Sequence, residues 1–308
     1  MKSTTQSGLW TVEFGELGAT LKVLQDHGVT PDHLARLRAE PDYAKRVAEF
    51  MLRGGLDASI HQKLARAVMG KNFFGVEDWS ALYGVNFTQK QLRQVAEFPW
   101  GEDILNSTCP LCGKVVKDCH FAFVGLDRIN GKPLTILKLQ ELHPATGQPK
   151  FYSYASSAWY SNEKFAKETT MSFRWYLLHQ NIVPKSEDKT YGEQVQMLTA
   201  DYADYEVPSA VTEATKDLLV FRKTGNFVNP SRYARCECVS SDGGRVYVGR
   251  FGEFGLIVFR CWDDCRGYDV GVAASRKLPG HTSAPFNPFE ATQRLARSGG
   301  QRLCIDGS

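Results

Sequence analysis

The sequence lacks the long apolar runs that mark membrane and secreted proteins. No window of its 308 residues approaches the roughly 18 to 20 consecutive apolar residues that a membrane-spanning helix needs. The first residues, MKSTTQSGLWTVEFGELG, contain a single lysine and no apolar run typical of a secretory signal. We therefore expect a cytoplasmic protein with no membrane partner.

The chain also lacks an excess of either charge. Its 37 Lys and Arg face 34 Asp and Glu, which leaves a formal net charge of +3. Proteins that bind nucleic acids typically carry a basic surface, so the composition gives no reason to expect a nucleic-acid partner. The 43% of hydrophobic residues is enough to form a core in each of two domains.

Residues 1–100 predict a module of short helices. Thr30 followed by Pro31 is typical of a helix start, and Thr88 to Gln91 forms a capping box. Two helices around Gly84, between residues 76 and 98, suggest a helix-turn-helix, but basic and acidic residues are nearly balanced in this region. We therefore expect a helical packing module rather than a DNA-binding one.

Residues 101–278 predict an α+β domain. Short apolar runs separated by Gly, Pro and Asn indicate strands and loops, and they are HFAFVGL, LTILKL, FYSYA and FRWYLLHQNIV. A capping box at Thr190–Glu193 and a helix from Ser209 to about Lys223, ended by Gly225, add two helices. The runs RVYVG, GLIVF and GVAAS predict very short strands, and residues 279–308 predict a disordered tail.

Eight cysteines occur in clusters, which in a cytoplasmic protein suggests reduced thiols, metal binding or catalysis rather than a disulfide framework. Cys109 and Cys112, in CPLCGK, form half of a zinc knuckle, which Cys119 and His120 could complete. Adjacent residues of a strand point to opposite faces, however, so both cannot reach one ion. We expect thiols without a metal here.

Other candidate sites are weaker. Cys236, Cys238, Cys261 and Cys265 could together supply four sulfur ligands, but we expect no metal there either. The adjacent pair Asp263 and Asp264 suits a turn better than acid–base catalysis. Three histidines lie among apolar neighbours and are expected to be structural or surface residues: His120, His143 and His179. The sequence predicts no cofactor.

Residues 233–278, YARCECVSSDGGRVYVGRFGEFGLIVFRCWDDCRGYDVGVAASRKL, carry the most specific pattern in the chain. They resemble the C-terminal variable region of target proteins of diversity-generating retroelements, most specifically in the closing DVGVAASRK. The segments FYSYASSAWYSNEKFAKETTMSFRWYLL and VPSAVTEATKDLLVFRKTGNFVNPSRYARC extend the resemblance upstream. It implies a C-type lectin-like fold of the formylglycine-generating-enzyme type for residues 101–278, with residues 233–278 as the variable region.

The resemblance also implies how such a protein acquires its specificity. A reverse transcriptase copies a template repeat with errors at adenines, and the rewritten codons, typically Asn codons, never encode Lys, Gln, Met, Trp or Glu. The positions whose codons we expect to be rewritten are called the variable positions. All of them carry residues that this rule allows. They are Tyr247, Arg250, Gly252, Phe254, Ile257, Phe259, Arg260, Cys261, Cys265, Gly267 and Val270.

A fixed scaffold must stay packed while these side chains change. The residues expected to form it are Val246, Val248, Phe251, Leu256, Val258, Trp262 and Val272. The resemblance thus implies a non-catalytic ligand-binding protein, whose partner is an unidentified protein or small molecule. Two alternatives stay open: an oxidase of the formylglycine-generating type that uses Cys261 and Cys265, and a docking protein whose helical module makes the contact.

Overall fold

The computed structural model describes residues 13–52 and 60–279, which fall into two compact units that divide after Asp57. The predicted domain boundary at residue 100 does not coincide with this division. Ala65, Phe73 and Trp79 are buried in the core of the second unit, so the chain from residue 60 onward packs with the domain that follows it. The predicted tail falls almost wholly on residues 280–308, outside the described residues.

The described part of the first unit, residues 13–52, contains three helices, α1 (Phe14–Asp26), α2 (Pro31–Ala39) and α3 (Pro41–Leu52). The predicted start of α2 is confirmed, because Pro31 occupies its first turn and the backbone N–H of Thr30 donates to Nδ1 of His33 at 3.1 Å. Neither α1 nor α2 has a buried residue.

The second unit contains the remaining helices. They are α4 (Ile60–Met69), α5 (Val76–Tyr83), α6 (Gln89–Gln94), α7 (Glu102–Asn106), α8 (Val116–Cys119), α9 (Ile136–Leu142), α10 (Lys164–Lys167), α11 (Tyr191–Asp201) and α12 (Ala210–Thr224). The predicted caps are confirmed: Thr88 and Thr190 accept from the third helical N–H of α6 and α11. Gly84 and Gly225 end their helices in the left-handed conformation.

Two sheets account for most of the strands. The larger has the order β1-β2-β5-β11-β6, and its strands are β1 (Phe73–Phe74), β2 (His120–Gly125), β5 (Arg174–His179), β6 (Tyr205–Glu206) and β11 (Ser275–Arg276). The smaller has the order β10-β7-β8-β9, formed by β7 (Tyr233–Val239), β8 (Arg245–Gly252), β9 (Gly255–Cys261) and β10 (Val270–Val272). A short pair, β3 (Arg128–Ile129) and β4 (Lys132–Pro133), stands apart.

Two predicted strands are wrong. The run FYSYA forms only an isolated bridge between Phe151 and Leu256, and the run LTILKL lies at the start of helix α9. Thr135 caps this helix by accepting a hydrogen bond from the N–H of Lys138, and Ile136 and Leu139, one turn apart, are both buried. A short apolar run does not distinguish a buried strand from a buried helix turn, and here the cap decides.

Helix α12 connects the two sheets, because it contacts β7 and β8 of the smaller sheet and β2 of the larger one. Its residues from Ala210 to Val220 are all buried. The described residues therefore form a mixed fold of helices and sheets with its core around this helix. Among them, no helix combines the length and the apolar character needed to cross a membrane.

Candidate functional site

The β8–β9 hairpin has one buried and one accessible face. Val246 and Val248 of β8, and Leu256 and Val258 of β9, are fully buried. The residues between them alternate to the other face, as the pleat of a strand requires. On that face Tyr247 pairs directly with Phe259, and the ring of Tyr247 lies 4.8 Å from that of Tyr233 and 5.9 Å from that of Phe259. An aromatic row thus crosses three strands.

Most of the variable positions are accessible. Arg250 and Phe254 are exposed, with 80% of Phe254 accessible, and Phe259 is 45% accessible. A second group is half-buried and comprises Gly252, Ile257, Arg260, Cys261, Cys265 and Gly267.

Tyr247 and Val270 are the exceptions, because both are buried. Tyr247 lies between two aromatic rings, and Val270 lies in β10, where it pairs with Tyr233. The expectation of an accessible variable side chain is wrong at these two positions.

The predicted scaffold is buried except for Trp262. Phe251 and Val272 are fully buried like the four hairpin residues named above. Trp262 is 55% exposed, so its assignment to the packed scaffold is wrong. It follows the end of β9, where a ring can cover Gly243 without entering the core. Together with Tyr268, which is 75% exposed, it adds aromatic area to the accessible face.

The glycines of the hairpin differ in the space around them. A Cβ added at Gly252, a variable position, would meet no atom within 4 Å. At Gly255, which has φ +110°, the same Cβ would lie 2.5 Å from the carbonyl carbon of Phe151. At Gly249 it would collide with the carbonyl of Arg232. The hairpin therefore accepts a side chain at Gly252 and requires glycine at the other two positions.

Arg250 adopts a left-handed backbone conformation, with φ +42°. Its N–H donates to the carbonyl of Arg232 at 2.7 Å, and its guanidinium lies 5.5 Å from the ring centre of Tyr233. Such a φ is uncommon for most residues and several-fold commoner for Asn. The backbone at this variable position is thus set by its neighbours rather than by the arginine side chain.

Cys261 and Cys265 form a disulfide bond, with their Cα atoms 6.2 Å apart. The expectation of reduced thiols is wrong for this pair, because the turn between them returns the chain to the end of β9. Beneath the loop, the fully buried Arg235 donates to the carbonyl of Cys265 at 3.0 Å and to Oε1 of Gln194 at 3.2 Å. The loop thus covers a buried cation.

Ion pairs hold the loop to the rest of the unit. Arg245 forms two hydrogen bonds of 2.9 Å to Asp263, so this carboxylate holds the loop through a guanidinium of β8. Arg266 donates to Glu193 at 2.7 Å. The pKa of Glu193 is lowered to about 2 by the N–H of Thr190 first and by Arg266 second. The Arg266–Glu193 contact therefore persists across the neutral pH range.

The four-sulfur site considered from the sequence does not form. Cys261 and Cys265 are bonded to each other, Cys236 is fully buried, and Cys238 accepts a hydrogen bond from the N–H of Ala210. Within residues 13–52 and 60–279, the ligand atoms of one group of His, Cys, Asp or Glu residues lie close enough together to hold a metal ion. This thiol–imidazole cluster consists of Cys109, Cys112, Cys119 and His179.

The cluster differs from the sequence expectation in its histidine. His120 does lie beside Cys119, with Nδ1 3.3 Å from Sγ, but its Nε2 is taken by the hydroxyl of Tyr205 at 3.1 Å. His179 is the histidine of the cluster, because β5 pairs with β2 in a register that places His179 opposite His120, next to Cys119. The thiol of Cys119 donates to the carbonyl of Val115 at 3.2 Å. The closeness of Cys119 and Cys109 lowers the pKa of Cys109 and raises that of Cys119.

His143 is structural, as predicted. Its Nδ1 lies 2.8 Å from the carbonyl of Leu139 and its Nε2 lies 2.9 Å from the hydroxyl of Tyr83. Burial lowers its pKa to about 4, so the ring is neutral at physiological pH.

Comparisons of the chain with protein-family models, with curated proteins and with solved structures find no match.

Proposed function

We propose that this protein is a non-catalytic ligand-binding protein whose surface around β8 and β9 is diversified by a retroelement. The proposal includes a C-type lectin-like layout for the second unit. One observation carries it: nine of the eleven variable positions are exposed or half-buried, and six of the seven scaffold residues are buried. A surface of this kind can change its side chains without disturbing the core.

The chemistry of the accessible face suits recognition. Aromatic residues and arginines contribute most of the energy in protein interfaces, and Phe254, Phe259, Trp262, Tyr268 and Arg250 are all accessible here. Trp262 cannot arise from the rewritten codons, so we assign it to a constant part of the contact surface. Ligand identity would then depend on the variable positions around it.

Sequencing of the gene and its flanks in many cells of one culture tests the proposal. We expect a near-repeat of codons 233–278 beside a reverse-transcriptase gene, with differences confined to the adenines of that repeat. Codons 101–146 of the same cells are the control, since they should not vary. The absence of both a repeat and variation in codons 233–278 would refute the proposal.

The Cys261–Cys265 disulfide is the observation that favours an oxidase as a second candidate. Replacing both cysteines by serine separates the two functions. An oxidase would lose all activity in this variant, whereas a binding protein would lose at most one ligand. Both functions require the variant to keep its fold, which circular dichroism measures.

A further inference from the structure

The thiol–imidazole cluster gathers four possible ligand atoms from separate parts of the chain. The three Sγ atoms and one ring nitrogen of His179 all lie within 4.8 Å of one another. Cys109 and Cys112 lie in a turn, Cys119 ends α8 and His179 ends β5. In a tetrahedral zinc site with Zn–S bonds of about 2.3 Å, the ligand atoms lie about 3.8 Å apart. A contraction of about 1 Å at most would therefore reach that geometry.

The turn that carries the first two thiols is held by its own backbone. The N–H of Cys109 donates to the carbonyl of Lys114 at 2.6 Å, and the N–H of Gly113 donates back to the carbonyl of Cys109 at 2.9 Å. Gly113 has φ +76°, a conformation that glycine adopts without strain. This tight return places the side chains of Cys109 and Cys112 next to each other, as in the first half of a zinc knuckle.

His179 supplies the independent observation. Its Nδ1 lies 2.7 Å from the carbonyl of Asn181, to which it donates, so Nε2 carries a lone pair rather than a proton. The residue is only 4% exposed, and Nε2 has no hydrogen-bond partner among the residues that the structure describes. Buried polar atoms without a partner are rare. Histidine ligands of metal ions characteristically donate their other ring nitrogen to a carbonyl in this way.

We propose that Cys109, Cys112, Cys119 and His179 bind one zinc ion in a structural site. Three thiolates and a neutral imidazole are a donor set that zinc prefers. Because all four positions are filled by protein atoms, the ion has no open position for a substrate. Its role is to join the turn at residues 109–113 and helix α8 to the end of β5. All four ligands lie outside residues 233–278, so changes at the variable positions leave the site intact.

The metal content of the full-length protein, purified without chelators, tests this proposal. We expect about one equivalent of zinc by mass spectrometry. Cys112→Ser and His179→Gln should each lower the zinc content at least about tenfold after gel filtration. Cys238→Ser is the matched control, because Cys238 is also half-buried but lies outside the cluster, and it should retain the wild-type zinc content. Circular dichroism shows whether each variant is folded.

Cobalt provides a measurement that does not depend on any variant. Wild-type protein loaded with Co²⁺ should show thiolate-to-cobalt charge-transfer bands and the strong visible bands of tetrahedral cobalt. Wild-type protein that retains no metal after incubation with ZnCl₂ would overturn the proposal. A folded Cys112→Ser variant with full zinc content would overturn it as well.

Discussion

Lys216 provides the sharpest test of the energetics of the core. Its side chain is fully buried on α12, where Nζ lies 2.6 Å from Oε1 of Glu213 and 3.1 Å from Oδ1 of Asp217. The same ammonium group donates to the carbonyl of Gln180 at 2.7 Å. Among the described residues, neither carboxyl oxygen of Asp217 accepts a well-oriented hydrogen bond. One ammonium group thus contacts two buried acidic side chains.

Replacing Lys216 by methionine preserves most of the side-chain volume and removes the charge. Glu213 and Asp217 would then lose the cation that favours their ionised forms, and the carbonyl of Gln180 would lose its donor. Removing one partner of a buried ion pair typically costs about 3–5 kcal/mol. Folded domains have about 5–15 kcal/mol in total, so we expect Lys216→Met to lose a large fraction of the free energy of unfolding.

Urea unfolding of the wild type and the variant at pH 7 and pH 5 measures this loss. The loss should be smaller at pH 5, where the unpaired carboxyls take up protons more readily. Lys167→Met is the control, because Lys167 is exposed on α10 and its replacement should change stability by about 0.5 kcal/mol at most. A loss below about 1 kcal/mol for Lys216→Met at pH 7 would refute the reasoning.

Two further predictions concern the hairpin and the pH dependence. Gly252→Arg should leave the melting temperature nearly unchanged, whereas Gly255→Arg should lower it or abolish folding, because its Cβ would meet the backbone of Phe151; equal effects would contradict the assignment of Gly252 as a variable position. Burial raises the pKa of Asp217 to about 8, well above its unfolded value of about 3.9. The protonated carboxyl therefore contributes fully to the free energy of unfolding below about pH 4, and this contribution is lost as the pH rises to about 8. Asp217→Asn should make the free energy of unfolding fall less steeply with pH, by at most about 1.4 kcal/mol per pH unit. Urea unfolding at several pH values measures this slope, and a slope equal to that of the wild type would contradict the titration of Asp217.

Local signals in the sequence predict much of the fold. The capping threonines at positions 88 and 190 and the glycines at positions 84 and 225 mark helix ends correctly, because a cap depends on residues three or four positions apart. The alternation in β8 and β9 likewise predicts which side chains are buried, since the period of a strand is a local property.

Features that depend on distant pairing are not predictable in this way. His179 joins the cluster because β5 pairs with β2, and nothing near residue 179 in the sequence indicates that partner. Cys109 and Cys112 form a motif that the sequence shows directly. The fourth ligand, His179, lies about 70 residues further on, because strand register rather than sequence spacing brings it to the cluster.

The arrangement of these features suggests a division of labour within the second unit. Helix α12 contacts β8, which carries variable positions, and also β2, which begins beside the cluster. Lys216 on this helix donates to the carbonyl of Gln180, the residue after His179. The proposed zinc ligands and the buried charges therefore hold the same end of β5, and none of them is a residue that we expect to change. A surface that varies in sequence needs a support of this kind, whose stability does not depend on the varying residues.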